Sequence, residues 1–144
     1  MVYESFVDTN VILDYVLQRE HYAEAKLAIS SHVTSGDEML MSVGGFYTML
    51  FLIDKYFRLD CRKNRKEARE LTRNVMRKVL KTFHVADHDD ESLLCGLDDT
   101  RFTDIEDSCQ IQLAKKHGCE QLLTFNASDF PSTYCAPVKV VSLM

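Results

Sequence analysis

The chain has 144 residues, 46% of them hydrophobic and 27% charged, with a formal net charge of −5. This is the length and composition of one globular domain covering residues 1–144, large enough to bury a real core. No apolar run approaches the ~20 residues of a membrane span, and the acidic balance argues against general affinity for nucleic acid.

The opening residues carry neither a basic leader nor a long apolar stretch, so no signal peptide is expected. Five cysteines, Cys61, Cys95, Cys109, Cys119 and Cys135, form no C-x-x-C pair. An odd, scattered set argues against a disulfide framework or a zinc ribbon and suits a reducing cytoplasm. The histidines are scattered too, without metalloprotease spacing.

Residues 3–7 read as a short strand that ends on Asp8. Thr9 is the expected N-cap of a helix that begins near Asn10 and carries Val11, Ile12, Tyr15 and Val16. A second helix is expected over 20–34, stopped by Gly36 and Asp37, and a strand over 38–43. The stretch 45–57, GFYTMLFLIDKYF, is apolar almost all round and reads as a buried helix, although the same apolarity suits a dimer face or a partner groove. A long amphipathic helix follows over 62–80, then a strand over 82–87 and a short helix over 89–97. A further helix is expected over 103–118, with Thr103 as N-cap and Gly118 past its end. Strands over 120–125 and 138–143 complete the chain. Strands alternating with helices predict an α/β fold with a mostly parallel five-stranded sheet covered on both faces. In such sheets ligands bind at the carboxyl ends of the strands, which is where Asp8 falls.

The acids gather at the same edge. Asn126 and Asp129 follow the fourth strand in LLTFNASDF. Asp104 and Asp107, spaced i, i+3, fall in the first turn of the preceding helix, on the side of Ile111 and Ala114, and are expected to face the protein. Each acid alone has an ordinary explanation, in the helix dipole or a turn. Together they would repel one another and resist ionisation, a conflict that a hard divalent cation, Mg²⁺ or Mn²⁺, removes.

These residues resemble a family. VDTNVILDYV is similar to the opening motif of PIN-domain nucleases, DIEDSCQIQLA to their third acidic motif, and LLTFNASDF to their closing one. The three occur in family order over nearly the whole chain. The general look is that of the small single-domain, VapC-like toxins of toxin–antitoxin pairs. The resemblance implies a three-layer α/β/α fold and a metal-dependent endoribonuclease that hydrolyses RNA phosphodiesters. Asp8, Asp107 and Asp129 would face the metal, Asp104 would be an auxiliary acid, and Asn10 and Asn126 would order the site, with Ser42 at the end of the second strand close by. It also implies a homodimer and a cognate antitoxin. One departure is plain: the family's glutamate early in the helix after the second strand is missing, with no acid between Met39 and Ile53.

The basic residues are unevenly placed. Residues 62–81 hold nine of the seventeen lysines and arginines, against only Glu67 and Glu70. Arg62, Arg65, Lys66, Arg69, Arg73 and Arg77 follow i+3/i+4 spacing as one stripe, opposite Ala68, Leu71, Val75 and Val79. Such a stripe is either a solvated helix face or a track for RNA phosphates beside the acids. Two other readings of the chain stand beside the nuclease. One is a non-cleaving PIN-like module that binds RNA or protein. The other, a nucleotide-binding α/β domain, lacks any G-x-G-x-x-G or P-loop.

Overall fold

A computed structural model describes residues 3–144. The elements run in chain order as β1 (Ser5–Val7), α1 (Thr9–Leu17), α2 (Tyr22–Ser35), β2 (Met39–Ser42), α3 (Val43–Lys55), α4 (Arg65–Thr82), β3 (His84–Ala86), α5 (Asp90–Asp98), α6 (Ile105–Lys116), β4 (Gln121–Thr124), α7 (Ser132–Cys135) and β5 (Lys139–Ser142). A π-helical turn, Tyr56–Asp60, extends α3, and a 3₁₀ turn, Ala127–Asp129, follows β4. The strands form one sheet in the order β3-β2-β1-β4-β5, with every pairing parallel.

Alternation along the strands sorts the core into two layers. Val7, Met39, Met41 and Leu123 point to the face covered by α1 to α4, where Ile12, Ile29, Met49, Ile53, Met76 and Val79 are buried. Phe6, Leu40 and Leu122 point to the other face, against Ile111, Leu113 and Ala114 of α6 and Phe130 and Cys135 beyond β4. The expected α/β/α sandwich is therefore present. The strand order reverses between β1 and β4, and at such a reversal the flanking connections diverge and leave a crevice at the carboxyl edge.

Several boundaries differ from the sequence reading, for local reasons. Asp8, not Thr9, is the N-cap of α1, and Asp104, not Thr103, is the N-cap of α6. In each pair the acid and its neighbour are both good caps, and the helix starts on the acid. Asn64 caps α4 by accepting the Glu67 N–H at 2.9 Å, so Arg62 precedes that helix, in the left-handed region at φ 54°. The helix 45–57 is not wholly core: α3 buries Gly45, Met49 and Ile53, while Tyr47 and Phe51 are 66% and 63% exposed.

Two glycines set helix positions. A Cβ on Gly96 would lie 2.7 Å from the Cys109 Cα, so only glycine lets α5 approach α6 this closely. The Ser108 hydroxyl seals the contact by donating to the Gly96 carbonyl at 2.7 Å. A Cβ on Gly45 would meet the Thr9 Oγ1 at 2.5 Å, so glycine also brings the first turn of α3 against that of α1.

Candidate metal centre

The parallel register pairs Val7 with Leu123, and the Asp8 N–H donates to the Leu123 carbonyl at 3.0 Å. The next step along both strands sets Asp8 beside Thr124. Asp8 is only 6% exposed, and Thr124 is fully buried. The Thr124 hydroxyl donates to Asp8 Oδ2 at 2.9 Å and accepts the Asn126 N–H at 3.0 Å. Among the described residues the buried carboxylate thus has a neutral partner and no cation. Burial pushes the Asp8 carboxyl up from its ordinary range, and the Glu106 charge adds to this. Thr124, the Thr9 N–H and the Gln110 side chain pull against it.

α6 brings the next acids. Asp104 caps the helix by accepting the Asp107 N–H at 2.9 Å, and it is exposed. Asp107 is half-buried one turn inward. The expectation that both would face the protein therefore holds for Asp107 and not for Asp104, which stands outside the first helical turn. The Asp107 carboxyl is pushed up to about 7, first by burial and then by the negative charges of Asp8, Asp104, Asp129 and Glu106. Four acids from three separate segments, Glu106 among them, thus act on one carboxyl group. Asp129, partly buried at the end of the 3₁₀ turn, is held by its N–H donating to the Asn126 carbonyl at 2.9 Å.

The remaining residues singled out in the sequence lie near these acids or apart from them. Ser42 is buried and accepts the Gly45 N–H at 2.9 Å, so its hydroxyl oxygen caps α3. Asn10 and Asn126 are exposed and line one pocket of about 500 Å³ together with Asp14, Arg19, His21 and Phe125. Arg65 and Arg69, with Arg58 and Asp54, line a separate groove of about 440 Å³. Lys66 is exposed; Arg73 pairs with Glu70, and Arg77 donates to Asn74 at 2.9 Å.

Sequence reasoning missed Thr124, Gln110, Glu106 and Asp14. Gln110 is buried with its Oε1 unpartnered. Asp14 is 5% exposed and ion-paired to Arg19. A polar residue inside each apolar run, at Asp14, Gln110 and Thr124, was the available signal.

By donor chemistry the residues fit a divalent cation. They offer hard carboxylate oxygens, two raised carboxyl groups and a buried amide oxygen without a partner, the ligand types that Mg²⁺ and Mn²⁺ prefer. By position the set is open. Among the described residues no three His, Cys, Asp or Glu side chains stand together as a group that could hold one ion, and α3 carries no acid in its first turn.

The fold has solved counterparts. It matches a chain of the DNA-bound VapBC complex from Salmonella typhimurium with a TM-score of 0.66 at 15% identity, covering 99% of this chain and 100% of that one. It matches a chain of VapBC2 from Rickettsia felis, bound to a promoter DNA fragment, with a TM-score of 0.67 at 11% identity, covering 99% and 98%. At those identities the likeness is one of fold. No curated protein matches the sequence. The PIN domain model matches residues 5–128, and with a five-stranded parallel sheet in the order β3-β2-β1-β4-β5, the chain belongs to the PIN domain family.

Proposed function

We propose that this protein is a Mg²⁺- or Mn²⁺-dependent endoribonuclease, the toxin of a toxin–antitoxin pair. The observation that carries the reading is the electrostatic convergence of Asp8, Asp104 and Asp129 on Asp107, whose carboxyl is held at about 7. Carboxylates crowded without cationic partners are costly unless a metal or protons neutralise them.

Asp8, Asp107 and Asp129 would hold the ion. The chemistry such an ion supplies when bound is polarisation of a phosphoryl oxygen and acidification of a water. The chain's own side chains do the arranging. Thr124 fixes the orientation of Asp8, Asp104 anchors the first turn of α6 beneath Asp107, and Asn126 anchors Asp129 through its carbonyl. Hydrolysis by water then needs no side-chain nucleophile. The groove with Arg65 and Arg69, together with Arg62, Lys66, Arg73 and Arg77, would track RNA phosphates.

Similarity to chains of VapBC complexes supports a cognate antitoxin as partner. The exposed Tyr47 and Phe51 supply an apolar surface suited to a partner or to a second copy in a homodimer. The unpaired cysteines suit a reducing cytoplasm.

A second reading is favoured by one observation. The acids are not grouped as a ready ligand cage, and α3 lacks an acid in its first turn, which suits a PIN module that binds without cutting. RNA cleavage with Mg²⁺ or Mn²⁺, comparing the native chain with Asp8→Asn, separates the two. Metal-dependent cutting that disappears in the variant supports the nuclease. Equal background in both supports the binding module.

A further inference from the structure

The pocket of about 500 Å³ at the reversal of the strand order has none of Asp8, Asp107 and Asp129 in its lining, and that lining is unusual for a phosphate site. Its organiser is Asp14, buried on α1. One carboxylate oxygen, Oδ1, accepts Arg19 Nε at 2.9 Å and lies 2.8 Å from an Arg19 Nη; the other, Oδ2, accepts the His21 N–H at 3.1 Å. The turn between α1 and α2, with Gln18 left-handed at φ 51°, is thereby folded back so that Arg19 and His21 reach the segment after β4. There the His21 ring lies against the Phe125 ring, 4.9 Å between centroids. Asn10 and Asn126 bring two side-chain amides to the same pocket.

The charges decide what such a pocket takes. Asp14 and Glu20 outnumber Arg19 in the lining, so a phosphate is repelled, whereas a neutral heteroaromatic ring is not. His21 and Phe125 offer ring faces for stacking, which is tolerant of any base. Arg19 discriminates. With Nε and one Nη turned to Asp14, its outer edge still presents parallel N–H groups, the fork that matches the O6 and N7 acceptors of guanine. The carboxylate of Glu20 and the amide oxygens of Asn10 and Asn126 can accept from the ring N–H and amino group on the other edge.

We propose that this pocket receives a guanine base next to the phosphodiester that the acids address, with Arg19 as the reading residue and Asp14 as its positioning residue. The proposal rests on the ribonuclease reading above and names the sequence preference of that same site. Asn10 and Asn126 lie two residues beyond Asp8 and Thr124 in the chain, so the pocket opens beside the β1–β4 junction where Asp8 sits.

The test is fluorescence anisotropy in EDTA, so that no cleavage competes, with labelled oligouridylates carrying a single guanosine, adenosine or 7-deazaguanosine. The expected result is binding of the guanosine probe about tenfold tighter than all-uridine RNA, with the preference lost for 7-deazaguanosine and in Arg19→Lys. Replacing N7 in the probe leaves the protein untouched, so this arm does not depend on how the variant folds. Equal binding of all probes, or an adenosine preference, overturns the base pocket while leaving RNA binding intact. A full guanosine preference in Arg19→Lys overturns the role of Arg19. Absence of any RNA binding overturns the ribonuclease reading and the pocket with it.

Discussion

Thr124 Oγ1 donates to Asp8 Oδ2 across the β1–β4 junction, at 2.9 Å and with both residues buried. This bond is what allows an apolar strand to end on an acid. The parallel pairing of Val7 with Leu123 fixes it, because the next residues on both strands can only fall beside one another. The same hydroxyl accepts the Asn126 N–H, which ties the loop leading to Asp129 back to Asp8.

Removing that hydroxyl tests the relationship. Thr124→Val keeps the shape of the side chain and leaves a buried carboxylate oxygen unpartnered. The expected cost is about 1–3 kcal/mol, measured by urea unfolding at neutral pH. Thr124→Ser, which keeps the donor, should recover most of it. A Val variant as stable as the native chain contradicts the assignment.

Asp107 makes stability depend on pH. Its folded pKa of about 7 lies above the ordinary carboxylate value of roughly 4. Between those values the folded chain binds more protons than the unfolded one. Stability without metal is therefore greatest at the acid end of that window and falls as pH rises towards 7. The full shift corresponds to ~4 kcal/mol, and for a half-exposed group about half of that is expected. Urea titrations at either end of the window, in EDTA, read it out. The slope should become clearly shallower in Asp107→Asn, with the buried Asp8, also raised, carrying what remains.

Gly96 should not accept a side chain. Alanine there would gain roughly 1 kcal/mol in helix propensity, but its Cβ would lie within 3 Å of the Cys109 backbone. Overpacking against backbone costs about 1–3 kcal/mol, so Gly96→Ala should lower the thermal midpoint. A raised midpoint contradicts the close contact of α5 with α6.

The basic face should divide unequally. Arg65 and Arg69 line the groove, while Arg73 is paired with Glu70 and Arg77 with Asn74. Arg65→Glu with Arg69→Glu should weaken RNA binding and flatten its salt dependence. Arg73→Glu with Arg77→Glu should do less. Equal effects of the two pairs contradict a phosphate track through the groove.

The layering of this fold was legible because its strands are short apolar runs set between amphipathic helices, and periodicity reports exactly that arrangement of buried faces. The expectation that Asp8, Asp107 and Asp129 share one sheet edge followed from their places at strand and helix ends. Cap positions were not legible to the residue, since Thr9 and Asp8, or Thr103 and Asp104, cap equally well. Tyr47 and Phe51 were read as core because an apolar helix carries no internal mark of which face meets solvent. Thr124 stayed hidden because a threonine in a strand is ordinary until the register shows its neighbour. Asp14 stayed hidden because its partner Arg19 is brought back only by the left-handed turn at Gln18. The 3₁₀ turn Ala127–Asp129 and the short α7 fall below the length at which propensity speaks.

The most direct measurement is Mn²⁺ binding by isothermal titration calorimetry near pH 7, in buffers of different ionisation enthalpy, for the native chain, Asp8→Asn and Asp107→Asn. With Asp107 part-protonated at that pH, the expected result is binding with proton release, weakened strongly in both variants and with less proton release in Asp107→Asn. Native and variant chains that bind Mn²⁺ equally, or a native chain that does not bind it at all, would contradict a metal centre formed by these carboxylates.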